Sequence, residues 1–338
     1  MTAGLGFVLL AAVIVVAGSR LAAYGDAIAA RTGLGGLWIG AVLLAGATSL
    51  PELATDLSAV RMGAPDLAVG DLFGSSMANM LILAIVDLSA PKRQVLRRAT
   101  FDHALSACLA LALTALATAL VLLRPGPAIA GLEVGPFLLF ALYVLGTRAV
   151  YRHATRARPA AAGGGPEGRE DGDGGGRTRP TLRRALAGYA VAALVIFAAA
   201  PAFAHFAERL ARETGLGTTF VGAWLVGLAT SLPELVASVA AVRMGAFDLA
   251  VGNLFGSNGF NMAIFFALDL AHPGGALFAA VSPVHAVTGL FGILLTSLGL
   301  AAIVYRAERR FAMVEPDSLA IVVAYVAGLW LLYGARGA

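Results

Sequence analysis

The sequence predicts an all-α, polytopic membrane protein with ten transmembrane helices arranged as two inverted five-helix repeats, helices 2 and 7 being broken. Three observations carry this expectation. Of 338 residues, 59% are hydrophobic and 13% charged, with a mean hydropathy of +0.83, whereas soluble domains carry roughly a quarter charged residues. Apolar runs of spanning length, about 20 residues, follow one another with short turns marked by Gly, Pro or charge. The pentad Thr48-Ser49-Leu50-Pro51-Glu52 returns as Thr230-Ser231-Leu232-Pro233-Glu234, 182 residues later, so each copy sets a glutamate inside an apolar run.

In chain order the spans fall at 3–23, 36–60, 66–88, 100–123 and 127–150, then 183–206, 218–242, 248–271, 281–305 and 317–335. No Lys or Arg precedes the first run and its counterpart is internal, which reads as a retained helix rather than a secretory signal. Between the fifth and sixth spans the chain turns rich in Gly, Arg and acid, including Gly163-Gly164-Gly165-Pro166 and Gly174-Gly175-Gly176. Such a stretch cannot bury a core. The expected organisation is a first repeat over 1–150, a flexible cytoplasmic linker over 151–182 and a second repeat over 183–338.

Charge sets the expected orientation. With both termini outside a cytoplasmic membrane and the linker inside, 19 of the 24 Lys and Arg residues fall on the cytoplasmic side, as the positive-inside bias requires. This placement accounts for the pI near 9.6 without nucleic acid. The single cysteine, Cys108, excludes an intramolecular disulfide and a Cys-based metal cluster, and His103, His205 and His285 stand apart from one another at no ligand spacing.

Aligning 48–80 with 230–262 without a gap leaves 23 of 33 positions identical, including Ala59-Val60-Arg61-Met62-Gly63-Ala64 against Ala241-Val242-Arg243-Met244-Gly245-Ala246. An odd number of crossings per half makes the second half enter the membrane in the opposite sense, so Arg61 falls outside and Arg243 inside. An inverted repeat lets one central site open to either face in turn, which points to a transporter.

Within the repeat, Pro51 cannot donate to the carbonyl of Ala47, nor Pro233 to that of Ala229, so a kink or break is expected at each. Freed carbonyls at membrane depth are tolerated where they line a cavity or bind something. Beside Thr, Ser and Glu oxygens they form surroundings for a hard cation such as Ca²⁺, which takes about six to eight oxygens. Soft and imidazole ligands are missing, so nothing selects a transition metal. Thr48 and Glu52 share a helix face, as do Ser75 and Asn79 on the third helix and Ser257 and Asn261 on the eighth. Gly70 and Gly74, with Gly252 and Gly256, form small-residue stripes that would bring the third and eighth helices close to the broken ones.

Plainer roles stand beside these. A buried Ser or Thr can simply bond the carbonyl four residues back, and Asn79 and Asn261 can act as interhelical glue. Asp87 and Asp269 also recur, eight residues past the asparagines, and read as helix-end or access-pathway groups. Asp66 and Asp248 read as N-terminal helix caps.

The pattern Gly46-Ala47-Thr48-Ser49-Leu50-Pro51-Glu52 with Gly70-Asp71-Leu72-Phe73-Gly74-Ser75-Ser76 through Asn79, matched by Gly227-Leu228-Ala229-Thr230-Ser231-Leu232-Pro233-Glu234 with Gly252-Asn253-Leu254-Phe255-Gly256-Ser257-Asn258 through Asn261, resembles the signature repeats of the cation/calcium exchanger superfamily, particularly its sodium/calcium exchanger branch. The resemblance implies a prokaryotic antiporter, not an enzyme, with no cofactor and with Ca²⁺ and Na⁺ as transported ions. It places Glu52 and Glu234 as central ligands. Thr48, Ser49, Ser75, Asn79, Thr230, Ser231, Ser257 and Asn261 complete the sites, with the carbonyls of Ala45 and Gly227. Expected partners are inorganic cations and the lipid bilayer, with no nucleic acid and no obligatory protein.

The chain departs from the family pattern in three places. Both Asn79 and Asn261 are neutral where members often carry one Asp, Asp71 faces Asn253 across the repeat, and Ala47 and Ala229 replace the glycine usual before the Thr-Ser pair. The glutamates alone then carry −2, which matches one Ca²⁺ and leaves the sodium count open. Proton-coupled antiport is the nearest alternative, since protonated glutamates also neutralise the site. An intramembrane serine hydrolase using Ser75 or Ser257 is disfavoured because hydrolysis has no need of a symmetric, duplicated site. A passive channel is disfavoured by two kinked halves, which suit rocking.

Overall fold

The computed structural model describes residues 2–89, 95–124, 133–156, 180–213, 230–305 and 316–335. Among these residues the chain is helical, without strands. The helices are α1 (Thr2–Thr32), α2 (Gly35–Arg61), α3 (Pro65–Ser89), α4 (His103–Leu123), α5 (Val134–Arg156), α6 (Leu182–Glu213), α7 (Leu232–Arg243), α8 (Phe247–Ala271), α9 (His285–Tyr305) and α10 (Pro316–Ala335). One-turn helices at Val95–Arg98 and Leu277–Ala280 follow α3 and α8. Eight of the described helices are long and apolar enough to cross a membrane. The apolar part of α10, Pro316–Leu332, is shorter, and the described part of α7 has 12 residues. Residues 151–156, assigned to the linker from composition, continue α5, and 157–179 lie outside the described residues.

The repeated Arg-Met-Gly-Ala turn has a specific local cause. After α2, Gly63 adopts φ +79°, its N–H bonds the Val60 carbonyl at 3.0 Å, and the Ala64 N–H reaches back to Ala59 at 2.9 Å. After α7, Gly245 takes φ +78°, with Gly245 to Val242 at 3.0 Å and Ala246 to Ala241 at 2.9 Å. Both are Schellman caps, which satisfy the last helical carbonyls and need a residue without Cβ in the left-handed region. The same four letters therefore make the same hairpin twice, turning α2 into α3 and α7 into α8.

Packing keeps the same symmetry. The pairs α2–α6 and α7–α1, α3–α9 and α8–α4, α3–α10 and α8–α5, α4–α5 and α9–α10 all occur, and α1 packs along α6, α4 along α9 and α3 along α8. Exchanging each helix for the one five further on leaves this pattern unchanged. The hairpin helices α3 and α8 are central, with 78% and 72% of their most apolar windows buried, against 28% for α1, α5 and α6. Residues such as Leu9, Val16, Phe137, Leu145, Val191 and Leu194 on those outer helices remain exposed, a surface suited to lipid.

Helix 2 differs from the expected break. The α-helix runs on through Pro51, and the departure from α geometry lies upstream, in a π-helical stretch at Ile39–Leu44 where the Ala45 N–H bonds the carbonyl of Gly40. Proline removes only one donor, the one owed to Ala47, and the helix absorbs that loss. The π turn instead meets close packing against α8. A Cβ on Gly252 would stand 2.8 Å from the Leu37 carbonyl oxygen, and one on Gly256 would collide with the backbone of Ala41. In the second half Pro233 stands in the first turn of α7, where a missing N–H costs no helical bond. Residues 214–229, which precede it, lie outside the described residues. The expected stripe is thus found on α8. On α3 the space beside Gly70 is taken by the His285 ring, which would stand 3.2 Å from a Cβ added there.

Candidate functional site

The repeated pentads place their polar side chains where α2, α3, α7 and α8 meet. Thr48, Ser49, Glu52, Ser75, Asn79, Thr230, Ser231, Glu234, Ser257 and Asn261 are all buried, none more than 8% exposed. The two halves touch directly. The Ser49 hydroxyl donates to Glu234 Oε1 at 3.2 Å, and Thr48 Oγ1 lies 3.3 Å from Asn253 Oδ1. Glu52 is close enough to Glu234 for their charges to interact, with Ser49 and Ser75 beside it.

What distinguishes this interior is the number of polar atoms left without a partner. Both carboxylate oxygens of Glu52, Glu234 Oε2, the hydroxyls of Ser75, Ser231 and Ser257, Asn79 Oδ1 and both amide atoms of Asn261 are buried and accept or donate no hydrogen bond among the described residues. Buried polar groups are ordinarily satisfied, and a lone carboxylate away from water is costly. So dense a set of unsatisfied oxygens fits an inserted cation. Among the described residues no three His, Cys, Asp or Glu converge to chelate a metal by themselves, so hydroxyl and amide oxygens must supply part of any ion's shell.

Some expected ligands have structural partners. Thr48 donates to the carbonyls of Leu44 at 3.0 Å and Ala45 at 3.2 Å, the local back-bond weighed above, and so is tied to the backbone as well as to Asn253. Asn79 donates through Nδ2 to Asn258 Oδ1 at 2.9 Å, and Asn258 in turn reaches the Ser76 carbonyl at 3.2 Å and Thr296 at 3.4 Å. Asn79 is therefore glue through its nitrogen and open through its oxygen. Gly227 lies outside the described residues.

Four further polar residues enter the same interior: Asp56, Asp71, Ser238 and Asn253. Asp56 is 1% exposed with Oδ2 unpartnered, and Asp71 Oδ2 is likewise buried and unpartnered. Asn253 donates to Ser238 at 3.1 Å. A sequence signal for Asp56 existed, because it follows Glu52 by four residues and shares its helix face, but it is not repeated.

The other acids have structural roles. Asp66 and Asp248 are not caps of their own helices. Asp248 accepts from the Thr100 N–H at 3.0 Å and meets His103 Nε2 at 2.9 Å, while Asp66 accepts from the Ser282 N–H at 2.7 Å and meets His285 Nε2 at 3.0 Å. Each binds the entry of a helix in the opposite half. Asp87 accepts from the Leu96 N–H at 3.2 Å and Asp269 from the Leu277 N–H at 3.0 Å, tying the one-turn helices down as helix-end groups. Just outside the spans, Glu133 accepts from Phe278 and Ala279 N–H groups at 3.2 and 3.3 Å, and burial raises it above the usual glutamate range.

Known proteins resemble the chain at the level of family and fold. The family model for sodium/calcium exchanger protein matches residues 2–148 and 184–334. The Inner membrane protein YrbG of Escherichia coli (strain K12) is 31% identical over 268 residues, 77% of each chain. The Putative antiporter CaxA of Alkalimonas amylolytica is 26% identical over 338 residues, covering 97% of this chain and 98% of that one. In structure, the chain superposes on the sodium-calcium exchanger NCX_Mj with a TM-score of 0.70 at 20% identity, covering 98% and 99% of the two chains, a likeness of fold. The chain belongs to the sodium/calcium exchanger family, which makes it a multi-pass membrane transporter of cations rather than an enzyme, the ions being its substrates.

Proposed function

We propose that the chain is a secondary antiporter that exchanges Ca²⁺ for Na⁺ across the cell membrane by alternating access. The observation that carries this reading is the pooling, from both halves, of buried oxygens without hydrogen-bond partners around Glu52 and Glu234. The ligands are Glu52, Glu234, Thr48, Ser49, Ser75, Asn79, Thr230, Ser231, Ser257 and Asn261, assisted by the carbonyls of Ala45 and Gly227.

The architecture that goes with it is ten spans in two inverted five-helix repeats, 1–150 and 183–338, joined by a cytoplasmic linker, with both termini outside. The packing that survives exchange of each helix for its counterpart supports it, because two equivalent halves can trade conformations about one site. Bound cations neutralise the glutamates and lower the penalty for passing through an occluded state. An empty site keeps its charge and crosses poorly, which couples the two fluxes.

Uptake of ⁴⁵Ca²⁺ into proteoliposomes tests the reading. Sodium-loaded vesicles diluted into sodium-free medium should accumulate ⁴⁵Ca²⁺, and dissipating the sodium gradient should stop it. Uptake that ignores the sodium gradient and follows a pH jump would assign the coupling to protons instead.

A further inference from the structure

The two halves differ at a pair of positions beside the glutamates. In the second half Asn253 donates from Nδ2 to Ser238 Oγ at 3.1 Å, and its Oδ1 faces Thr48. The residues 182 positions earlier are Asp71 and Asp56. Where one half sets an amide against a hydroxyl, a pair that closes on itself, the other carries two carboxylates near enough for their charges to interact. Neither carboxylate can donate to the other.

We propose that Asp56 and Asp71 form a second cation site, contiguous with the glutamate cage, that takes a sodium-sized monovalent ion. Both acids present a buried Oδ2 with no hydrogen-bond partner, and Asp56 is 1% exposed. Their charges interact with each other and with Glu52, and neither forms an ion pair with Lys, Arg or His among the described residues. Buried acids so placed are costly unless a proton or a cation lies between them, and beside the glutamate cage metal cations are at hand.

The charge of the neighbouring ion weighs against a second divalent ion. Asp56 follows Glu52 by one helical turn, about 6 Å along the axis. Beside a Ca²⁺ held by the glutamates, a second divalent ion would meet twice the repulsion that a monovalent ion meets, since Coulomb energy follows the product of charges. The glutamates alone balance one Ca²⁺ or two Na⁺, and any further Na⁺ needs the negative charge that Asp56 and Asp71 supply. The site deepens the antiport reading and rests on it for the identity of the central ion.

Equilibrium binding on the purified full-length chain in nanodiscs separates the two. In a ²²Na⁺ scintillation proximity assay, Asp56→Ser/Asp71→Asn, which installs the residues of the mirror positions, should bind about one Na⁺ fewer per chain than the parent. Glu52→Gln/Glu234→Gln should lose ⁴⁵Ca²⁺ binding yet keep the Na⁺ that the first variant removes. The single Asp71→Asn variant guards against misfolding, because the amide it introduces can donate to Asp56 as Asn253 does to Ser238. It should unfold at a higher temperature than the parent in sodium-free buffer and show a smaller sodium-induced rise in Tm. An undiminished Na⁺ count and an undiminished sodium-induced rise in the Asp variants would overturn the second site. If ⁴⁵Ca²⁺ binding survives the glutamate substitutions, the central cage is what fails.

Discussion

The rim and the centre of this molecule treat its internal repeat differently. At the rim, Asp248 with Thr100 and His103 has a complete counterpart in Asp66 with Ser282 and His285, each partner displaced by the same 182 residues and each acid reaching into the other half. At the centre, the positions of Asp56 and Asp71 are taken in the second half by Ser238 and Asn253, and that of Ser76 by Asn258. The latches hold the halves together, and symmetric contacts do that equally well from both sides. In the antiport proposed above, the centre is where a difference in charge between the halves has consequences, because ions would be counted there.

The largest effects should come from the element that is symmetric and central. Glu52→Gln and Glu234→Gln should each weaken Ca²⁺ transport by about 10- to 150-fold, corresponding to about 1.5–3 kcal/mol for a lost charged contact. Initial ⁴⁵Ca²⁺ uptake rates in proteoliposomes check this, and a silent substitution at either position would break the equivalence of the halves. Next in size is the close approach of α2 and α8. Gly256→Ala drives a methyl into the backbone of Ala41 and should destabilise by about 1–3 kcal/mol, read as a fall in Tm. Gly70→Ala meets only the edge of a histidine ring and should cost less.

The latches sharpen the comparison further. The His103 side chain is fully buried and that of His285 is 20% exposed. Asp248→Asn should therefore lower stability by about 1–2 kcal/mol and Asp66→Asn by less than about 1 kcal/mol, measured by thermal unfolding of the two variants side by side. An effect comparable to that of the latch variants is expected at Asn258, where the first half carries Ser76. Asn258→Ser frees the Asn79 amide and loses the bonds to the Ser76 carbonyl and Thr296, for about 0.5–1.5 kcal/mol. An unchanged Tm would mean that Asn79 is held by other contacts.

The legible residues are those that recur with their chemistry intact. Glu52 with Glu234, Ser75 with Ser257 and Asn79 with Asn261 stand out because an apolar background makes each repeated polar residue conspicuous, and the Arg-Met-Gly-Ala turn carries its cap in its letters. Asp56 escapes notice because its counterpart is serine, so recurrence gives no reason to select it. Asp66 and Asp248 look like caps of their own helices, but their true partners stand 219 and 145 residues away. Pro51 promises a break that the helix does not make. The irregular turn lies at Ile39–Leu44, set by contact with α8 rather than by local propensity.

Sequence by itself determined the medium, the repeat and the helix-turn-helix units, because hydropathy, recurrence and capping act over a few turns of one chain. Tertiary structure decided which oxygens stay without partners, which acids face each other and which histidines they bind. Those outcomes depend on how two halves interlock, and a hydrogen bond between residues far apart in the chain leaves no trace in the spacing of either one.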